Sequence, residues 1–177
     1  MSGEKNMMLG SELEGFKAVD SLGEEIGAVK DVVVDTTEKE WNVKEIVFSK
    51  GILKGEGVFS FADIVKLDED EKRIMLKEGA ELREFDDEKF THEYLSMDSV
   101  KERDVFDSNE EEIGKIYDYV LSTSLSPWQV IKILIRPSED RLKGRRIRLD
   151  VENISKIKDV ITVKLSRDEA DRTASEE

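Results

Sequence analysis

The sequence predicts a mainly β protein built from two tandem copies of one small barrel or sandwich unit. The first observation is an internal repeat: Asp20-Ser21-Leu22-Gly23-Glu24-Glu25-Ile26-Gly27 returns as Asp107-Ser108-Asn109-Glu110-Glu111-Glu112-Ile113-Gly114. At the same offset Val29 meets Ile116, Asp31 meets Asp118, Val33 meets Val120, Trp41 meets Trp128, Val43 meets Val130 and Ile46 meets Ile133. A rare tryptophan held in register with a glycine and an aspartate argues against coincidence, and a repeat resets the question of fold. The second observation is that each copy breaks into short β-branched segments bounded by Gly, Asp and Ser turns. The third is composition. The 177 residues are 38% hydrophobic and 40% charged, with 28 Lys and Arg against 42 Asp and Glu, hence a net charge of −14. Clustered Ile, Val, Leu and Phe set the chain apart from a disordered polyelectrolyte. The absence of cysteine removes disulfides, thiol catalysis and Cys-based zinc sites.

In the first copy a strand is expected over 13–20, a turn over 21–25 and a strand over 26–36, rich in Val32-Val33-Val34. A polar turn at 37–40 leads to a strand over 41–49, a Gly-rich loop at 50–56 and a short strand at 57–61. One helical turn is expected over 62–66, and 73–77 closes the unit. Phe61-Ala62-Asp63-Ile64 has its counterpart in Val151-Glu152-Asn153-Ile154, and Ile74-Met75-Leu76 in Ile161-Thr162-Val163. The second copy therefore reads as strands over 102–107, 113–122, 128–136, 145–150 and 160–165, with a turn over 151–156. Ile131, Ile133 and Ile135 share a face, but Val43 and Ile46 differ in parity, so the strands must carry bulges. Gly27 and Gly114 suit such places, because glycine tolerates positive φ and close backbone approach.

Residues 11–78 and 97–165 are thus two domains, joined by an acidic linker over 79–96 and followed by a tail at 166–177. The stretch 86–96 reads as a short helix with Phe90 and Tyr94 one turn apart. The tail has no apolar anchor except alanine and is expected to be disordered, as is the start of the chain around Met7-Met8-Leu9. No signal pattern or stretch of about 20 apolar residues occurs, so a cytoplasmic location without a membrane span is expected.

The repeated Val/Phe-Asp-Ser-x-x-Glu-Glu-Ile-Gly-x-Val/Ile-x-Asp element, with Phe61-Ala62-Asp63-Ile64 and Val151-Glu152-Asn153-Ile154, resembles the PRC-barrel domain of photosynthetic reaction centres. The resemblance covers about 11–77 and 97–165. It implies a six-stranded, partly open barrel in each copy, which the short helical linker read above would join. The family includes stand-alone archaeal and bacterial proteins, some linked to cell division, the reaction-centre H subunit, and the C-terminal part of a ribosome maturation factor. It is a set of interaction modules without shared catalytic residues. Two departures stand out: Glu102 replaces Gly15, and Pro137-Ser138-Glu139-Asp140 replaces the Gly-rich loop.

Few residues invite chemistry. His92 is the single histidine, which excludes His-based triads and multi-His metal sites. Asp31 and Asp118 could be paired carboxylates, but a strand aspartate more simply bonds backbone. Asp68-Glu69-Asp70-Glu71 lacks the central glycine of a calcium loop. Gly51 to Gly57 lacks the Gly-Lys-Ser/Thr ending of a phosphate loop. Neither a catalytic set nor a cofactor or metal site is expected. The candidate interaction residues are Ile52 and Leu53, which are either buried in the core or covered by a partner or the other barrel, and the basic strip Arg141, Lys143, Arg145, Arg146 and Arg148. That strip is flanked by Asp140, Asp150 and Glu152 and lacks interleaved aromatics, which favours pairing with acidic protein surface over nucleic acid. Trp41 and Trp128 are read as core or rim residues. The expected function is a non-enzymatic adaptor with protein partners or self-association. An RNA- or ribosome-associated factor using Arg141 to Arg148 is the alternative.

Overall fold

The computed structural model describes residues 6–85 and 94–176. The chain begins with β1 (Met7–Leu9) and the short helix α1 (Gly10–Leu13). The first barrel follows as β2 (Lys17–Val19), β3 (Glu25–Asp35), β4 (Trp41–Ser49), β5 (Glu56–Ser60), a 3-10 turn (Phe61–Asp63), β6 (Ile64–Asp68) and β7 (Arg73–Leu76). After β8 (Arg83–Glu84) come β9 (Tyr94–Ser96) and a 3-10 turn (Asp98–Val100). The second barrel repeats the order: β10 (Asp104–Phe106), β11 (Glu112–Ser122), β12 (Gln129–Pro137), β13 (Ile147–Asp150), a 3-10 turn (Val151–Asn153), β14 (Ile154–Ile157) and β15 (Ile161–Val163). The described chain ends with α2 (Arg167–Asp171).

The protein is mainly β, as expected, and the sheet does not close: its path runs β14-β15-β10-β11-β12-β4-β3-β2-β7-β6, with β6 and β14 at its two ends. The two partly open barrels meet where β12 pairs with β4. There Asn42 faces Gln129, Trp41 faces Val130, and the Val43 N–H donates to the Trp128 carbonyl at 2.8 Å. Asn42 thus meets its own repeat equivalent, while Trp41 meets that of Val43 and Val43 that of Trp41, the pattern of a local two-fold axis. Trp41 and Trp128 are both buried at this junction, and Phe61 packs edge-on against Trp128. One apolar core runs through both barrels.

The parity slip is a bulge. Register shifts between Val33 and Val34 as Glu45 gives way to Val43, so Val43 and Ile46 are both buried. The second barrel shifts at the equivalent place, between Val120 and Leu121. Gly27 and Gly114 flank another bulge, against β2 and β10. What requires glycine there is close approach, not positive φ. A Cβ would lie 2.3 Å from the Ser49 carbonyl oxygen at Gly27 and 2.0 Å from that of Arg136 at Gly114.

The segment leading into each barrel is laid on the other barrel. β1 runs antiparallel to β11, with Met7, Met8 and Leu9 opposite Ser122, Leu121 and Val120. β9 runs antiparallel to β3, with Tyr94, Leu95 and Ser96 opposite Asp35, Val34 and Val33. The two arms are repeat equivalents, exchanged reciprocally.

Four expectations are corrected. Met7-Met8-Leu9 is ordered, because Met8 finds a buried seat on the second barrel. The part of the proposed linker helix that is described, Tyr94–Ser96, is a strand, since the edge of β3 offers it a ladder; the remainder, with Phe90 and His92, lies outside the described residues. The helical turn expected over 62–66 lasts only through Asp63 and the turn expected over 151–156 only through Asn153, and Ile64 and Ile154 already begin strands. The segment expected to be a disordered tail folds as α2. Ser166 and Glu169 cap it reciprocally, with the Ser166 side chain accepting the Glu169 N–H, and Ala170 is fully buried.

Candidate interaction surfaces

Asp31 and Asp118 sit at matching bulges on β3 and β11 and hold the exchanged arms. The Asp118 carboxylate accepts the Ser11 N–H at 3.1 Å and the Ser11 hydroxyl at 2.5 Å. Asp31 accepts the Asp98 N–H at 2.9 Å, the Val32 N–H at 2.7 Å and the Ser96 hydroxyl. Burial is the largest influence on Asp31 and pushes its pKa up to about 6, against the ionised form that these three donors favour. The arrangement accounts for the repeated aspartates as backbone anchors.

The basic strip divides. Arg141 is turned inward: one guanidinium nitrogen meets the Asp171 carboxylate on α2 at 2.5 Å and another donates to the Ile113 carbonyl at 2.6 Å. Arg146 lies 5.6 Å over the Tyr117 ring, and its backbone forms a two-way bridge with Ser175. Lys143, Arg145 and Arg148 remain exposed. Among the described residues one carboxylate meets the strip, Asp171 on Arg141, and it comes from the C-terminal segment and not from the first barrel or the linker. The reciprocal cap Ser166-x-x-Glu169 is the sequence signal from which α2 could have been read.

Ile52 and Leu53 are not buried. Their exposures, 93% and 101%, place them free of every described segment at the tip between β4 and β5. Leu53 takes φ 71°, a left-handed conformation costly for a γ-branched residue. The corresponding tip of the second barrel carries the same Leu-Lys-Gly, as Leu142-Lys143-Gly144, but Leu142 is half-buried against the core.

Two grooves flank the barrel junction at equivalent positions. One, of about 620 Å³, lies between the β6 edge and the turn joining β11 to β12, and is lined by Phe61, Val65, Asp68, Leu125 and Trp128 among others. The other, of about 490 Å³, lies between the β14 end and the turn joining β3 to β4, and is lined by Trp41, Val151, Ile154 and Lys164 among others. Asp68 to Glu71 thus form the exposed hairpin beside the first groove. Among the described residues no group of three His, Cys, Asp or Glu side chains is placed to hold a metal ion. No described helix is long and apolar enough to cross a membrane.

The PRC-barrel domain model matches the chain twice, over residues 5–83 and 92–170. The chain belongs to the PRC-barrel family. Both matches begin with an exchanged arm, so each PRC unit as matched in sequence carries the segment that it lends to the other barrel. The second match ends inside α2. No curated protein matches the chain.

Proposed function

We propose that this tandem PRC-barrel protein is a non-enzymatic adaptor that binds protein partners along the two ends of its sheet. The observation that supports it most directly is the pair of grooves, each bordered by a strand, β6 or β14, that among the described residues pairs on one side only. A strand with a free side is a template for an incoming extended segment, in which backbone hydrogen bonds give affinity and adjacent pockets give selectivity. The grooves differ in chemistry. Asp68, Glu69 and Asp70 outweigh Lys66 in the first, whereas Lys39 and Lys164 balance Glu38 and Glu152 in the second, so the two ends suit different occupants. A cytoplasmic assembly, with archaeal cell division as its narrower form, rests on family likeness alone. Co-purification from native extract under mild salt, with light scattering of the isolated protein, tests the reading. A stoichiometric partner or a defined oligomer is expected; a monomer that recovers nothing refutes it.

The RNA-associated alternative draws on three exposed cations, Lys143, Arg145 and Arg148, since Arg141 is committed to Asp171. With a net charge of −14 working against a polyanion, the adaptor reading is the better supported.

A further inference from the structure

The two barrels are copies, so each serves as a reference for what the other lacks. In the second barrel the segment 166–176 forms a lid over the start of β11 and the tip between β12 and β13. It reaches Asp107 through the Arg167 N–H and the tip through Asp171, which pairs with Arg141. Asp107 is 2% exposed; one carboxylate oxygen accepts the Asn109 and Glu111 N–H groups at 2.8 Å, and the other accepts the Arg167 N–H of the lid at 2.9 Å. Burial acts to raise the Asp107 pKa, but the bonds from Glu111, Arg167 and Asn109 together hold it below the ordinary value. Ile113 is fully buried, and Leu142 is half-buried.

In the first barrel the equivalent residues are Asp20, Ile26 and Leu53, and no described segment covers them in this way. Asp20 repeats the turn, accepting the Leu22 and Glu24 N–H groups at 2.9 Å on one oxygen, while among the described residues no N–H reaches the other. Ile26 is only half-buried, and Leu53 is fully exposed. The chain that could have formed a lid instead turns away after β7 and pairs with β5 as β8. An Asp20 oxygen that no described N–H reaches, a half-buried Ile26 and an exposed Leu53 thus stand, by their repeat positions, where the second barrel is met by a short capped helix.

The occupant differs from the lid in one respect. Ile52 precedes Leu53-Lys54-Gly55 in sequence as Arg141 precedes Leu142-Lys143-Gly144, and Arg141 is the residue that pairs with Asp171. A helix seated on the first barrel therefore meets an aliphatic side chain where the lid places a carboxylate against a guanidinium. We propose that Asp20, Ile26, Ile52 and Leu53 form a docking surface for a short amphipathic helix of another protein. That helix begins with a Ser-type cap whose following N–H reaches Asp20, and it turns a small residue and an aliphatic residue toward Ile26 and Ile52. This deepens the adaptor reading and rests on it.

The probe is a synthetic peptide of residues 164–176 carrying Asp171→Leu, titrated into the full-length isotope-labelled protein and followed by amide chemical shifts. Saturable perturbation at Asp20, Glu24, Ile26 and the tip 51–55 is expected, with affinity at least tenfold weaker for Ile52→Ser/Leu53→Ser, a variant whose changed side chains are solvent-exposed and spare the fold. The unsubstituted 164–176 peptide is expected to bind the first barrel more weakly. No perturbation at millimolar peptide, or perturbation confined to the second barrel, overturns the proposal. So does concentration-dependent self-association that Leu53→Ser abolishes, which would make the tip a contact between copies. A native partner retained undiminished by Ile52→Ser/Leu53→Ser would sink this surface and leave the adaptor reading standing; recovery of no partner would sink the adaptor reading.

Discussion

Replacing Asp31 by asparagine should make the protein's stability less sensitive to pH, and the direction follows from the geometry of the arm. Asp31 is 7% exposed, and burial raises its pKa from 3.8 to about 6. A group that binds its proton more tightly when folded favours the folded state most below the unfolded pKa, and that contribution is lost as pH rises through the folded value. For Asp31 the window is therefore about pH 4 to 7, and a shift of about two pK units corresponds to about 3 kcal/mol. Asparagine preserves the contacts. Its oxygen can accept the Val32 and Asp98 N–H groups, and its amide can donate to the Ser96 hydroxyl, which can reverse its role. The stability difference between wild type and Asp31→Asn cancels most other titrations. Measured by urea denaturation at half-unit steps, it should move against wild type by about 3 kcal/mol from pH 4 to pH 7.5. At pH 7.5 the variant should equal or exceed wild type. A difference flat within about 0.5 kcal/mol over that range, or a variant markedly weaker at pH 7.5, would refute the reasoning.

Three further outcomes test the packing. Gly10→Ala places a Cβ 2.2 Å from Cζ of the buried Tyr119 ring, so hydrogen exchange over 6–13 should accelerate and stability should fall by about 1–3 kcal/mol; unchanged protection would show that the first arm is not seated on β11. Gly114→Ala drives a Cβ to 2.0 Å from a backbone oxygen, which cannot rotate away, and should cost about 3 kcal/mol in denaturation; a loss below about 1 kcal/mol would contradict close approach as the reason for glycine. Arg141→Met strands Asp171 and the Ile113 carbonyl at a site where the side chains are 11% and 21% exposed, so a loss of about 2 kcal/mol and faster exchange over 166–176 are expected, partly recovered by adding Asp171→Leu. Equal exchange in all three proteins would show that the pair does not secure the lid.

The parts of this fold that were legible in the sequence are those whose information is local. The long strands β3, β4, β11 and β12 carry β-branched runs between turn residues, and the repeat doubles each signal. The arms carry none of that. Met7–Leu9 and Tyr94–Ser96 are three residues each, and they are strands only because the edges of β11 and β3 lie open to them in the other half of the chain. Alternation cannot reveal a partner so distant in sequence. The lid was obscured for a different reason: its buried anchor is a single alanine, Ala170, and its attachment is polar, through Arg141, Asp107 and Ser175. Ile52 and Leu53 are legible as loop aliphatics, but whether they face a core or solvent depends on whether a lid covers the tip.

The reciprocal arms explain what joining two units in one chain makes available. A self-complementary interface built from two identical chains presents every surface twice, so a change that bares a loop on one subunit bares it on both. Here the junction keeps that self-complementary form, with Asn42 opposite Gln129 and matching arms on β3 and β11. The two halves nonetheless have different sequences. The second can close its tip with α2 while the first leaves Leu53 open, at no cost to the shared core that runs through both barrels. The exposed Ile52-Leu53 tip is then present once, where a pair of identical chains would present it twice. One exposed tip of this kind can engage one partner helix without offering the two equivalent apolar patches through which copies of a symmetric dimer would crosslink.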